Sequence, residues 1–301
     1  MRVFVTGASG WIGSGVVPLL LAAGHDVQGL ARSEQSAARL RAAGAEAVDG
    51  QLDDLAGLRA AADGADAVIH LAFKHDFSDY AASGRSERAA METFGEVLEG
   101  TGKPLLFASG VALLGPGRVV TEEDASPFIG RDAPRGGVEE LAMGFADRGI
   151  RPVALRFAPT VHGAGDHGFM AQLVAVAREK GVAGYVGDGS NRWPAVHRDD
   201  TARLIVRALE NPDAARVVHA VAEEGVAARD IAEAIGRGAG LPAASIDPDH
   251  AEAHFGWIGA FFRLDIPASS ALTRERFGWE PAGPTLLEDL DAGHYFTRAA
   301  A

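Results

Sequence analysis

Three glycines spaced three apart, Gly7, Gly10 and Gly13, interrupt the chain directly after the apolar run Val3-Phe-Val-Thr6. Glycine lets a backbone turn where side chains forbid it and lets an anion come up against the main chain, while a helix start offers unpaired N–H donors and partial positive charge. The chemistry open to such a turn is to hold a pyrophosphate. By itself the spacing is weak support, because tight strand-to-helix packing produces it too. A second signal falls roughly 20 residues on, where dinucleotide sites choose between cofactors. There the chain reads Leu30-Ala-Arg-Ser33. Arg32 can pair with a ribose 2′-phosphate and Ser33 can donate to it, whereas a carboxylate in this place would repel it. NADP is therefore expected, with NAD less favoured. Asp26 stands at the wrong end of the strand, and Glu34 is the nearby objection.

These residues need strands and helices in alternation to position them. The pattern predicts a helix from 13 to 23, closed by Gly24, and further helices over 36–43, 55–62, 87–98 and 137–146. Strands are expected over 25–30, 45–48, 65–72, 104–108 and 152–156. Such alternation indicates parallel βαβ units and, by the right-handed crossover rule, an α/β fold with a Rossmann-type doubly wound parallel sheet. Beyond residue 160 the rhythm changes. Residues 161–195 and 223–301 read as a smaller, mostly helical substrate-binding part, while 196–222 return to the dinucleotide-binding domain of 1–160 with one more strand near 216–221.

Composition narrows the partners. At 301 residues and 47% apolar content the chain can bury a sizeable core. A net charge of -13 without a Lys/Arg cluster disfavours nucleic acid. With no cysteine there is no thiolate chemistry, and the ten histidines form no His-Glu-x-x-His pattern, so no metal site is expected. No window reaches the ~20 apolar residues of a membrane span, and no signal peptide is visible at Met1. The cytoplasm is the default location.

Several motifs together resemble the short-chain dehydrogenase/reductase superfamily, in the extended or atypical branch related to NAD-dependent epimerase/dehydratases. They are Thr6-Gly-Ala-Ser-Gly-Trp-Ile-Gly13, Gly50-Gln-Leu-Asp-Asp54, His70-Leu-Ala72, Leu155-Arg-Phe-Ala-Pro-Thr-Val-His-Gly163, Arg192-Trp-Pro-Ala-Val-His-Arg-Asp-Asp200 and Phe277-Gly-Trp-Glu-Pro281. The resemblance implies that Ser9, Trp11 and Ile12 meet the pyrophosphate. It places Leu52 over the adenine with Gln51 where an acidic residue is usual, Leu71, Ala72 and Phe73 along the ribose and nicotinamide, and Pro159 to Val161 at the carboxamide. Relatives often dimerise, so a homodimer is an expectation too.

The superfamily's acid/base pair is missing. The chain holds three tyrosines, Tyr80, Tyr185 and Tyr295, and none has a lysine four residues later. Arg135 stands where the tyrosine is expected and Glu139 where the lysine is; an arginine is too basic to be an ordinary proton donor. The carbonyl-orienting serine falls at Ser109 or Gly110, of which only Ser109 can act. Tyr80 and His162 are further acid/base candidates, and Trp193, Arg192, His75 and His167 are candidates for contact with substrate. Asp200 reads as a helix cap. The expected function is an NADP-dependent oxidoreductase acting on a carbonyl or related double bond of a small molecule. The alternatives are an epimerase or dehydratase of a sugar-like substrate and a non-catalytic dinucleotide sensor.

Overall fold

The computed structural model describes residues 1–74, 79–112 and 114–297. Its first six strands are β1 (Arg2–Thr6), β2 (Asp26–Ala31), β3 (Glu46–Asp49), β4 (Ala67–His70), β5 (Pro104–Gly110) and β6 (Arg151–Phe157). Three strands follow outside the main sheet, β7 (Thr160–His162), β8 (Ala183–Val186) and β9 (Arg192–His197), and the chain then returns to it as β10 (Val217–Ala220). The seven-stranded sheet runs β10-β6-β5-β4-β1-β2-β3 and is parallel throughout. The strand order reverses between β1 and β4. In open α/β sheets a ligand crevice opens there, beyond the carboxyl ends of the strands.

Helices cover both faces. On one lie α1 (Gly13–Ala22), α2 (Glu34–Ala42) and, from late in the chain, a helix at Arg198–Glu210, sharing a core with Val3, Val5, Ile69, Leu106 and Leu155. On the other lie α3 (Leu55–Asp63), α4 (Tyr80–Val97) and α5 (Val138–Met143), packed on Phe4, Val68, Leu105, Phe107 and Ala154. Since strand side chains alternate, Thr6, His70, Ser109, Arg156 and His219 share this second face. They end it in a polar row along the carboxyl edge of the sheet.

A second core joins α6 (Phe169–Lys180) to the helix at Ala228–Ala239 and to the aromatic residues Trp193, Phe255 and Phe262. Two small sheets frame it: β7 and β9 with β11 (Glu223–Ala227), and β8 with β12 (Ala243–Ile246). The seven-strand sheet agrees with the doubly wound expectation, but β8 and most of β9 fall within 161–195, which reads as mostly helical in the sequence. The α4 helix also begins at Tyr80, earlier than the expected 87, because Asp79 caps it by accepting from the Ala82 amide at 2.9 Å. The expected 137–146 helix is divided between α5 and a 3₁₀ turn at Gly144–Arg148.

Candidate active site

The crevice begins at the glycine turn. Gly7 has φ +68°, and a Cβ there would lie 2.8 Å from the Ala72 amide nitrogen, so the turn can press against the end of β4 only as glycine. A Cβ on Gly13 would come within 2.1 Å of the Gly7 carbonyl oxygen. On Gly10 it would meet only the Gly7 carbonyl, leaving its outer side open. The α1 helix starts without a side-chain cap and without an acidic residue in its first turn. The amides of Trp11 and Ile12 have no protein acceptor among the described residues. Orphan donors at a bare helix start, faced by an open glycine, fit a pyrophosphate.

Thr6 and His70 stitch the two switch-point strands together. The Thr6 hydroxyl accepts from the Ala72 amide at 3.2 Å and lies 2.7 Å from His70 Nδ1. Burial, followed by the nearby charge of Arg135, pushes the His70 pKa down to about 3. The folded protein thus binds fewer protons here than the unfolded chain between about pH 6.5 and about pH 3. The stability this neutral histidine contributes is complete above that window and is lost as pH falls through it. Wild type is expected to lose about 1.4 kcal/mol per pH unit more than His70→Asn across the window. Denaturant midpoints measured for both against pH check this, and parallel curves would refute it.

At the end of β2, Arg32 is exposed and has no side-chain partner among the described residues. Ser33 caps α2, its oxygen accepting from the Ser36 amide at 3.2 Å. Glu34 bonds to Arg41 at 2.8 Å, which turns the nearby carboxylate to a cation of its own. Gln51 is exposed, and Leu52 is buried beside Leu30 and Leu58. Lys74 is held by Asp53 and Ser86. Leu71, Ala72 and Phe73 are half-buried at the mouth of the crevice, and His75 lies outside the described residues.

Trp11 ties the turn to the second part of the protein. Its indole donates to the Val161 carbonyl, just past Pro159, at 2.7 Å; the Arg198 guanidinium lies 4.7 Å above its ring, and His167 stands edge-on at 5.8 Å.

Past the carboxyl ends of β4 and β5 the structure pairs Arg135 and Ser109, with Tyr80 nearby, with acidic residues. Arg135 is the only non-glycine residue with positive φ among those described, at +53°, and Gly136 and Gly137 continue the left-handed turn. Gly84 lets this turn lie on α4, since a Cβ there would be 3.0 Å from the Gly136 amide, and Arg88 binds the Gly136 carbonyl at 2.6 Å. A left-handed arginine costs about 1–3 kcal/mol, so its surroundings must over-determine it. They do so through Glu87, whose buried carboxylate takes both Nε and Nη2 of Arg135, and through the Phe73 ring, 4.8 Å beneath the guanidinium. Nη1 has no protein partner among the described residues. Burial alone pushes the Glu87 carboxyl up, against Arg135. The Tyr80 phenol, 5.7 Å from the Phe73 ring, is also pushed up by burial despite Arg135, which makes it a poor acid near neutrality.

Beside this pair, the Ser109 hydroxyl donates to Glu139. Arg156, opposite Ser109 in the β5–β6 register, binds both Glu139 oxygens through Nε at 3.1 and 3.2 Å. It also binds the Asp124 carbonyl at 2.8 Å and lies 3.3 Å from His219 Nε2. His219 Nδ1 is 2.8 Å from the Ser269 carbonyl and therefore carries the proton. Glu139 and Arg156 are almost wholly buried, so Ser109 is the end of this chain nearest solvent.

The remaining sequence candidates fall elsewhere. His162 is buried, bonded through Nδ1 to Asp289 at 2.9 Å and packed against the His197 ring at 5.5 Å. Trp193 is fully buried between Phe169 and Phe262, so it belongs to the second core and not to an open pocket wall. Arg192 is occupied by Asp265, with bonds of 3.0 and 2.9 Å. The cap of the Arg198–Glu210 helix is His197, not Asp200, which instead accepts the Ala282 and Gly283 amides at 2.9 Å and anchors the C-terminal segment. Glu87, Arg156 and His219 have no role that the sequence pattern alone assigns. The available signal was charge: Glu139 in the place of a lysine requires a buried cation, and Arg156 lies within one of the motifs.

A parallel sheet whose switch point carries an anion-cradling glycine turn defines a dinucleotide-binding protein of the Rossmann class. The model of the NAD dependent epimerase/dehydratase family matches residues 3–222, and the chain belongs to that family. An uncharacterised protein of Schizosaccharomyces pombe is 47% identical over 98% of this chain and 100% of its own. A ketoreductase of Stigmatella aurantiaca acting on 4-hydroxy-2-methyl-3-oxo-4-farnesyl-3,4-dihydroquinoline-1-oxide is 30% identical over 60% of this chain and 56% of its own. A dTDP-glucose 4,6-dehydratase of Streptomyces venezuelae, solved with NAD bound, superimposes with a TM-score of 0.77 at 19% identity, covering 98% of this chain and 96% of that one.

Proposed function

We propose that this protein is an NADP(H)-dependent oxidoreductase that interconverts a carbonyl and an alcohol on a small organic molecule. The observation that carries this reading is the Arg135 guanidinium, fixed by Glu87 over Phe73 with Nη1 unpartnered among the described residues, where the family tyrosine is absent. The bound nicotinamide supplies the hydride chemistry. The protein's own share is to place a positive donor where negative charge develops on the substrate oxygen, in a site already arranged before reaction. Arg135 does this without exchanging a proton. The glycine turn and the α1 start hold the pyrophosphate, and Arg32 with Ser33 receives the 2′-phosphate.

The ketoreductase among the relatives favours this reading. The nucleotide-sugar alternative needs cations for a diphosphate. Its two candidates are engaged, Arg192 by Asp265 and Arg198 by Asp199 and the Trp11 face. For a sensor, a strained and clamped arginine at the reaction end has no purpose.

Fluorescence titrations of NADPH and NADH test the cofactor. Wild type is expected to prefer NADPH, and Arg32→Ala to weaken NADPH by about tenfold while leaving NADH nearly unchanged. Equal losses for the two would remove the 2′-phosphate assignment. NADPH oxidation in the presence of aldehydes and ketones tests the reaction, and turnover of a nucleotide sugar without net redox would favour the alternative.

A further inference from the structure

We infer that Ser109 and Glu139 are the proton-handling pair of this site, with Ser109 as the acceptor of a substrate hydroxyl proton and Glu139 as the positioning residue that receives the serine's own. The inference rests on the oxidoreductase reading above. The Ser109 hydrogen is committed to Glu139, so only oxygen lone pairs remain to face the crevice. A carbonyl oxygen, itself an acceptor, finds no donor in Ser109, whereas an alcohol O–H finds an acceptor. Arg156 holds Glu139 through both carboxylate oxygens from the neighbouring strand, and His219 and the Asp124 carbonyl hold Arg156. The acceptor is therefore fixed in the interior, and its charge is already balanced before substrate arrives. Arg135 precedes Glu139 across the left-handed turn that leads into α5. The two halves of the missing tyrosine's work are thereby divided: Arg135 stabilises the oxygen, and Ser109 with Glu139 moves the proton.

In the oxidising direction an oxidised dinucleotide held by the glycine turn and the α1 start would take the hydride of the substrate's C–H bond. Its O–H proton passes to Ser109 Oγ as the Ser109 proton passes to Glu139, and the products are the carbonyl compound, the reduced dinucleotide and a protonated Glu139, whose proton leaves back through Ser109, the end of the chain nearest solvent, once the carbonyl product has departed. In the reducing direction the same proton returns through Ser109 to the alkoxide oxygen.

Ser109→Ala leaves the Glu139–Arg156 pair whole, so it is the variant of choice; Glu139→Gln leaves Arg156 uncompensated and is accompanied by a melting curve. With isopropanol, cyclohexanol and benzyl alcohol as probes, Ser109→Ala is expected to bind NADP as wild type does and to keep its alcohol KM within a few-fold. Its kcat is expected to fall roughly 100-fold, and Ser109→Thr to recover part of it. An unchanged kcat in Ser109→Ala would overturn the pair. Saturation-transfer NMR of cyclohexanol against NADP-loaded protein reads the same contact without turnover. A carbinol signal present in wild type and lost in Ser109→Ala supports it, and equal signals overturn it. Wild type that transfers hydride to or from none of the probes or carbonyls, yet shows the Ser109-dependent NMR contact, defeats the oxidoreductase reading and leaves the contact standing.

Discussion

Glu87→Ala is expected to destabilise the protein by about 3 kcal/mol, one of the largest effects of any single side-chain truncation near the site. The Glu87 side chain is 1% exposed, and its partner Arg135 is 26% exposed, so the substitution strands a largely buried guanidinium that water reaches on one side only. Breaking a buried pair costs about 3–5 kcal/mol, and the partial hydration of Arg135 places this case at the lower end. The loss arises from the unpaired cation, so Glu87→Ala combined with Arg135→Met should recover much of it. Denaturant midpoints for the two singles and the double close the cycle. A double variant no more stable than Glu87→Ala would show that the carboxylate stabilises the fold through some other contact. The double should also be inactive despite its recovered fold, since it lacks the donor that faces the substrate oxygen.

The second large effect separates two neighbouring glycines. In Gly13→Ala the new methyl group would lie 2.1 Å from the Gly7 carbonyl oxygen and 2.8 Å from Ala8 Cα. Both are backbone atoms that cannot swing aside, so the turn and the α1 start must separate, at a cost of about 3 kcal/mol. In Gly10→Ala the methyl group meets only the Gly7 carbonyl, at 3.1 Å. That variant should melt close to wild type, yet it places a methyl group on the side of the turn left open for the pyrophosphate. Its affinity for NADPH is expected to fall about tenfold. Thermal melting and NADPH titration of both variants check the contrast. Equal stability of the two variants would mean that Gly13 is not the packing residue.

The parts of the molecule legible in the sequence are those set by local chemistry. Glycine spacing, the β-branched runs between helices and the arginine after β2 each report a backbone requirement or a charge within a few residues, and the strand alternation then fixes the sheet. The reaction end was not legible in the same way. Glu87, Arg135, Glu139 and Arg156 come from α4, a left-handed turn, α5 and β6, and only folding tells which carboxylate pairs with which arginine. The sequence could show that Tyr and Lys were missing but not that two ion pairs had taken their places. Trp193 shows the opposite error. An aromatic between Arg192 and Pro194 reads as a pocket wall, but β9 alternation turns it into the core among Phe169 and Phe262. His162 likewise met Asp289, 127 residues away, and became part of a packing contact.

The reaction proposed for this chain is hydride transfer between NADP(H) and a small carbonyl or alcohol without the tyrosine–lysine pair. Incubation of the purified protein with NADPH deuterated at the transferable position and a mixed panel of aldehydes and ketones tests it most directly, with mass spectrometry of the products. At least one alcohol product is expected to carry the label, and Arg135→Met to abolish its formation. NADPH bound tightly while every carbonyl is recovered unchanged would contradict it.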